Sequence, residues 1–170
     1  MPIQNKKIDS SDLLDLNTYT KERKAIRSEL VEMKKNRRVE LGPHSTFYFE
    51  NFFTMKAQIQ EMLYIEKGGD EQLKDELDAY NPLIPQGNEL VATFMFEIDN
   101  PITRKKVLSS LGNVENTIFI SVNGIKYLQR LKVMLIVLMI LAKHPLFTFY
   151  ILNLKINISK ISKIRKIELK

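Results

Sequence analysis

From Leu90 to Glu97 the chain alternates two sets of residues that are both largely apolar: Leu90, Ala92, Phe94 and Phe96 on one side, Val91, Thr93, Met95 and Glu97 on the other. A period of two is that of a β-strand, and a strand with apolar groups on both faces must be covered on both. Such a segment needs neighbours beside it and other elements packed against it, as a central strand has. An all-helical fold is thereby excluded, and partner strands must exist elsewhere.

Two hairpin signals supply candidates. Arg38–Leu41 and Ser45–Glu50 flank Gly42-Pro43-His44 and read as short antiparallel strands around a turn. Further on, Ile118, Ile120 and Val122 alternate up to Asn123-Gly124, the strongest short hairpin signal, which calls for a strand immediately after it. The residues after Gly124 do not read as that partner. Between these strands the period is helical. A helix is expected from about Thr18 to Lys35 with Ile26, Leu30 and Met33 on one face, preceded by a short turn capped by Ser10 or Ser11. Another is expected from Asn51, with Phe52, Met55, Ile59, Met62 and Leu63 inward and Gly68-Gly69 as its stop, then one from Asp70 to about Ala79. The loop Asn81–Gly87 breaks all periodicity, and Asp99-Asn100-Pro101 opens a further helix with Val107, Leu108 and Leu111 inward and Gly112 at its end. The fold class is therefore α+β, an antiparallel sheet packed by helices, over about residues 11–125.

Charge divides the chain at the same point. Up to Ile125 there are 16 basic and 19 acidic residues, whereas Lys126–Lys170 holds 10 basic residues and one acid, Glu168. The overall charge of +6 thus belongs to an apolar and basic tail without Gly or Asp, and the net acidic body does not favour nucleic acid. No Cys is present, which excludes disulfides, thiolate metal sites and a Cys nucleophile. The polar stretch Met1–Ser10 does not read as a secretory leader, so a cytoplasmic location is the expectation.

The tail has two readings. Taken literally, Val133–Ala142 is ten apolar residues in a row and apolar character resumes at Leu146–Leu154, a span long enough for a membrane tail anchor. Lys143 near its middle would cost roughly 2.5 to 3.5 kcal/mol and Pro145 would kink the helix. Alternatively, residues 126–170 are an out-of-frame translation. Back-translation with one A restored at Ile125-Lys126-Tyr127 gives a frame that accommodates acids, glycines, two closely spaced histidines and the strand that Asn123-Gly124 demands.

Three segments in order, KKNRRVELGPHSTFYFE at Lys34–Glu50, QEMLYIE at Gln60–Glu66 and DELDAYNPLIP at Asp75–Pro85, resemble the bacterial domain-of-unknown-function family numbered 3501. The resemblance runs from about Ser11 to Lys126. Members of that family end in a segment similar to the restored frame, and the tail as given departs from it. No activity is established for the family. The resemblance implies a cytoplasmic bacterial protein of redox metabolism, with rubrerythrin-like or iron–sulfur oxidoreductase proteins as associated partners.

Candidate site residues are few. Arg37 and Arg38, with Lys34 and Lys35, could contact phosphates, or they compensate a helix end and lie in solvent. His44 in its turn could be a ligand, acid or base near neutral pH, or simply be solvated. Tyr80 and Asn81 border an apolar, Pro-bounded loop and could wall a pocket, or Asn81 caps the helix while Leu83 and Ile84 plug the core. Glu61 and Glu66, five apart, are poorly spaced for joint metal ligation, and no Glu-x-x-His pair is present, so no metal site is assigned. The leading expectation is a non-catalytic accessory or small-ligand-binding protein, using Arg37, Arg38, His44, Tyr80 and Asn81. The alternatives are a metal-dependent enzyme built on His44 and nearby carboxylates and, if the tail is genuine, a tail-anchored membrane protein.

Overall fold

The computed structural model describes residues 7–87 and 89–111, and the strand residues 120–122, 125–127, 152–157 and 167–169. The chain is α+β and divides into two compact units, one of residues 1–37 and 49–91, the other of residues 38–48 and 92–170.

In the first unit a single 3-10 turn, Ser10–Asp12, leads to helix α1, Leu16–Lys35. The caps are acidic. Asp9 accepts from the Ser11 N–H while the Asp12 carboxylate accepts from the Asp9 N–H, and Asp15 accepts from the Asn17 and Thr18 N–H groups. The cap expected from Ser10 or Ser11 is thus supplied by Asp9, and Asp15 caps α1, where its charge also complements the positive helix end. Hydrogen bonds to these fully exposed carboxylates hold Asp9 and Asp15 below the usual carboxylate range. Tyr19 is the buried residue of α1, with Arg23, Ile26, Leu30 and Met33 continuing its half-buried face.

Helix α2, Phe52–Glu66, starts in a reciprocal box between Asn51 and Thr54 and buries Met55, Ile59 and Met62. Its end differs from the expected glycine stop. Lys67 itself takes the left-handed conformation at φ 56°, and Gly69 then opens helix α3, Gly69–Tyr80, at φ 72°. A second 3-10 turn, Asn81–Leu83, comes next, and Leu83 and Ile84 are buried, as are Ile8, Tyr19, Ile59, Tyr80 and Val91 of the same unit.

The strands fall mainly in the second unit. β1, Arg38–Leu41, pairs antiparallel with β2, Ser45–Phe49, around the turn at Gly42, whose φ of +64° suits glycine. β2 neighbours β3, Glu89–Phe96, and β6, Leu152–Asn157, lies on its other side, so the order is β1-β2-β3-β6 and β3 is central as its two apolar faces require. Phe47 and Phe94 stack at 4.4 Å between centroids, and Phe96 meets Phe94 edge-on at 4.9 Å. Helix α4, Pro101–Ser109, is capped by Asn100 through the Ile102 and Thr103 N–H groups, as expected, but the residue it buries is Arg104, while Val107 and Leu108 are half-buried.

A second sheet has the order β5-β4-β7, with β4 at Ile120–Val122, β5 at Ile125–Tyr127 and β7 at Ile167–Leu169. Here an expectation is corrected. The partner that Asn123-Gly124 demands comes from the next three residues as they stand, Ile120 opposite Tyr127 and Val122 opposite Ile125, and β7 pairs with β4 on its other side. Three β-capable residues suffice to close a two-residue hairpin, even where the sequence beyond Tyr127 has lost strand patterning. The apolar run Val133–Ala142, Gly112 and Ile118 lie outside the described residues. Among the described residues, no helix is long and apolar enough to cross a membrane.

Candidate functional site

The five residues singled out in the sequence fall into both units. Arg37, Tyr80 and Asn81 are in the first, Arg38 and His44 in the second. Arg37 is a brace: its Nε donates to the Phe49 carbonyl at 2.9 Å and an Nη to the Glu50 carbonyl at 3.2 Å. Tyr80 is buried, and burial, reinforced by the charge of Glu76, pushes its hydroxyl up to about 12. His44 is half-buried in the β1–β2 turn, where its carbonyl accepts the Glu97 N–H at 2.8 Å.

Asn81 does something the sequence did not reveal. Its Oδ1 accepts the Ile8 N–H at 2.7 Å and its Nδ2 donates to the Ile8 carbonyl at 3.0 Å, so one carboxamide grips both polar groups of one backbone residue. Gln60 repeats the device on Leu14, with Oε1 accepting at 2.8 Å and Nε2 donating at 3.0 Å. An amide side chain presents a donor and an acceptor side by side, as a peptide does, and here two of them stand in for a neighbouring strand. Residues 8–14 are thus strapped onto α2 and the end of α3.

Two carboxylate-centred clusters remain. In the second unit Glu97 accepts the Thr46 hydroxyl at 2.8 Å, the Tyr48 hydroxyl at 2.7 Å and an Arg38 Nη at 3.4 Å. Arg38 also pairs with Glu40 at 3.0 Å and stands 5.9 Å from the Tyr48 ring centroid. Burial, together with the bond to Glu97, pushes the Tyr48 hydroxyl up to about 12. Two carboxylates share one cation, and the cluster has a surplus of negative charge.

In the first unit the balance is reversed. Glu61 on α2 accepts the Tyr19 hydroxyl at 2.8 Å and the Arg23 Nε at 3.1 Å, with a second Arg23 nitrogen on its other oxygen and Arg27 at 3.4 Å. Arg23 lies 4.6 Å over the Tyr64 ring, and Tyr64 meets Tyr19 edge-on at 5.6 Å. Although burial opposes its charge, the bonds from Arg23 and Tyr19 hold Glu61 below the usual carboxylate range. The same burial, with the bond to Glu61, raises Tyr19 well above an ordinary tyrosine. Arg27 is 57 % exposed while Arg23 is 30 % exposed, so two guanidiniums share one carboxylate and the outer one faces solvent. This cluster was missed in the sequence. Its signal was there, in the line Tyr19, Arg23, Arg27 at i, i+4 and i+8 on α1 against Glu61 and Tyr64 at i and i+3 on α2. Among the described residues, no three His, Asp or Glu side chains come together in a way that could hold a metal ion.

Both clusters lie within the span that decides the family. Residues 7–130 match DUF3501, described as a protein of unknown function. The chain belongs to the DUF3501 family. A crystal structure from Burkholderia pseudomallei K96243, described as a novel protein of unknown function, is similar to it with a TM-score of 0.62 and 39 % identity. That similarity covers 68 % of this chain and 66 % of the other, so the DUF3501 chain spans just under two thirds of that relative's length. No curated protein matches it.

Proposed function

We propose that this DUF3501 protein is a non-catalytic accessory protein that binds a small anionic ligand at the Arg23–Arg27 face of α1. One observation carries the reading: two guanidiniums share the single carboxylate of Glu61, leaving positive charge on a surface where Arg23 is already oriented by Glu61 and the Tyr64 ring. A guanidinium fixed by one carboxylate keeps further N–H donors for a second, and its planar fork suits a carboxylate or phosphate. Fixing Arg23 in advance removes part of the ordering cost that an exposed side chain incurs on binding. Of the residues expected from the sequence, Arg37 and Asn81 direct the hydrogen bonds described above to backbone groups, which favours α1 over them as the ligand contact.

The setting of this function is the bacterial cytoplasm and its redox metabolism, with rubrerythrin-like or iron–sulfur oxidoreductase proteins as partners; the family resemblance supports this part. Calorimetric titration with inorganic phosphate, citrate and a nucleoside diphosphate tests the ligand reading. Binding of one of these, weakened tenfold or more by Arg27→Ala and by raised salt, is the expected result. Equal binding by the variant, or none by either protein, overturns it. Stoichiometric iron or zinc in the purified protein would instead favour the enzyme built on His44.

A further inference from the structure

The outermost strand of the first sheet carries a code for its own partner. β1 stands at the end of the order β1-β2-β3-β6, and among the described residues no strand lies beyond it. Arg38, Val39 and Glu40 are all exposed, Val39 at 39 %. The Phe49 N–H donates to the Arg37 carbonyl at 2.8 Å, and with the register Arg38 opposite Tyr48 this makes 37, 39 and 41 the residues whose backbone groups face β2. In an antiparallel ladder the hydrogen-bonding direction alternates, so the N–H and C=O groups of Arg38 and Glu40 face outward. A strand edge of this kind is a template for another strand.

We infer that β1 pairs antiparallel with β1 of a second copy of this chain, about a two-fold axis at Val39, with Arg38 opposite Glu40 in both directions. Three independent features agree on this register. The outward backbone groups are in phase, since both members of each Arg38–Glu40 pair present theirs to the edge, giving four main-chain hydrogen bonds. Charge is complementary: shifting the register by two residues either way keeps the phase but sets Arg38 against Arg38 or Glu40 against Glu40, which is repulsive. The exposed Val39 meets Val39 of the partner on the side of the strand that carries Phe47, extending the apolar face and not the polar one. Charges on an edge usually block unspecific pairing, and an Arg-Val-Glu edge blocks it while admitting its own copy. The contact is short, so association depends on concentration. This inference goes beyond the anion-binding reading and does not depend on it.

The test is sedimentation velocity of the full chain over a concentration series up to millimolar, beside R38E, E40R and their equimolar mixture. Each single reversal places like charges opposite one another and should weaken dimerisation about tenfold or more, whereas R38E with E40R is complementary again and should re-form dimers. Should a reversal disturb the fold, a second measurement decides. The chain has no Cys, so V39C carries a single thiol, and across the two-fold axis the two Cα atoms lie about 4.5 Å apart, within disulfide reach. Mild oxidation should cross-link V39C to a covalent dimer faster than V31C, whose thiol would sit on the exposed face of α1. A wild-type chain that stays monomeric throughout, single variants that dimerise like wild type, or equal cross-linking of V39C and V31C would each overturn the proposal. Loss of anion binding with dimerisation intact would overturn only the ligand reading.

Discussion

Replacing Asn81 by Ala separates a structural residue from a ligand contact. Asn81 makes two hydrogen bonds to Ile8, at 2.7 and 3.0 Å, and Ile8 is fully buried. Each bond is worth about 1 kcal/mol net, and a donor or acceptor left buried without a partner costs about 1–3 kcal/mol. With the site partly buried, the lower part of that range applies to each group, so Asn81→Ala should cost about 2–3 kcal/mol. The loss has a ceiling, because residues 7–14 can detach locally and let water satisfy Ile8, with its side-chain burial, about 2 kcal/mol, given up in return. Urea unfolding should show the drop, and the melting temperature should fall roughly 5–10 °C for a chain of this size. Asn81→Asp keeps the acceptor but sets a carboxylate oxygen against the Ile8 carbonyl where the amide N–H had donated, and near pH 7 should cost at least as much as Asn81→Ala. Hydrogen exchange at the Ile8 amide should accelerate in Asn81→Ala. A loss under about 0.5 kcal/mol, or no change in Ile8 exchange, would refute the clamp and make Asn81 a candidate ligand contact again.

Three further outcomes are expected. Glu61 ionises more readily folded than unfolded, so the stability it contributes is complete above the ordinary glutamate range and is lost as pH falls through its lowered folded value; unfolding midpoints measured downward from pH 6 should drop in wild type and stay flatter in Glu61→Gln. Lys67→Gly relieves a left-handed non-glycine residue at the end of α2 and should stabilise by about 0.5–1 kcal/mol in urea unfolding, with a loss refuting strain at that position. The nucleotide sequence should carry an A run across Ile125-Lys126-Tyr127, and restoring one base should open a frame encoding acidic, glycine-containing protein with two closely spaced histidines; an early stop in that frame would end the out-of-frame reading and leave a tail anchor as the account of residues 126–170.

The sequence made the regular elements legible because their signals are local. The alternation at Leu90–Glu97 identified a central strand, and Asn100-Pro101 identified a helix start, each from residues within one or two turns. The cap of the first turn was misread as Ser10 or Ser11 because serines and aspartates adjoin there and Asp9 takes the position, and the longer helix, expected from about Thr18, starts at Leu16 because Asp15 caps it. The site was less legible because it joins distant residues. Glu61 meets Arg23 across 38 positions and Asn81 meets Ile8 across 73, and nothing in the neighbourhood of either residue announces its partner. Arg37 and Asn81 attracted notice as polar groups near apolar surroundings, which is equally the setting of a side chain that completes backbone hydrogen bonds.

That separation of 73 residues between Ile8 and Asn81 also sets an order of events during synthesis. Ile8 leaves the ribosome early, yet its slot does not exist until Asn81 has been added, and at roughly 5–20 residues per second the wait is roughly 4–15 s. Gln60 can seize Leu14 sooner, being 46 positions on. The strap therefore closes from its inner end outward, Leu14 being held before Ile8 can be.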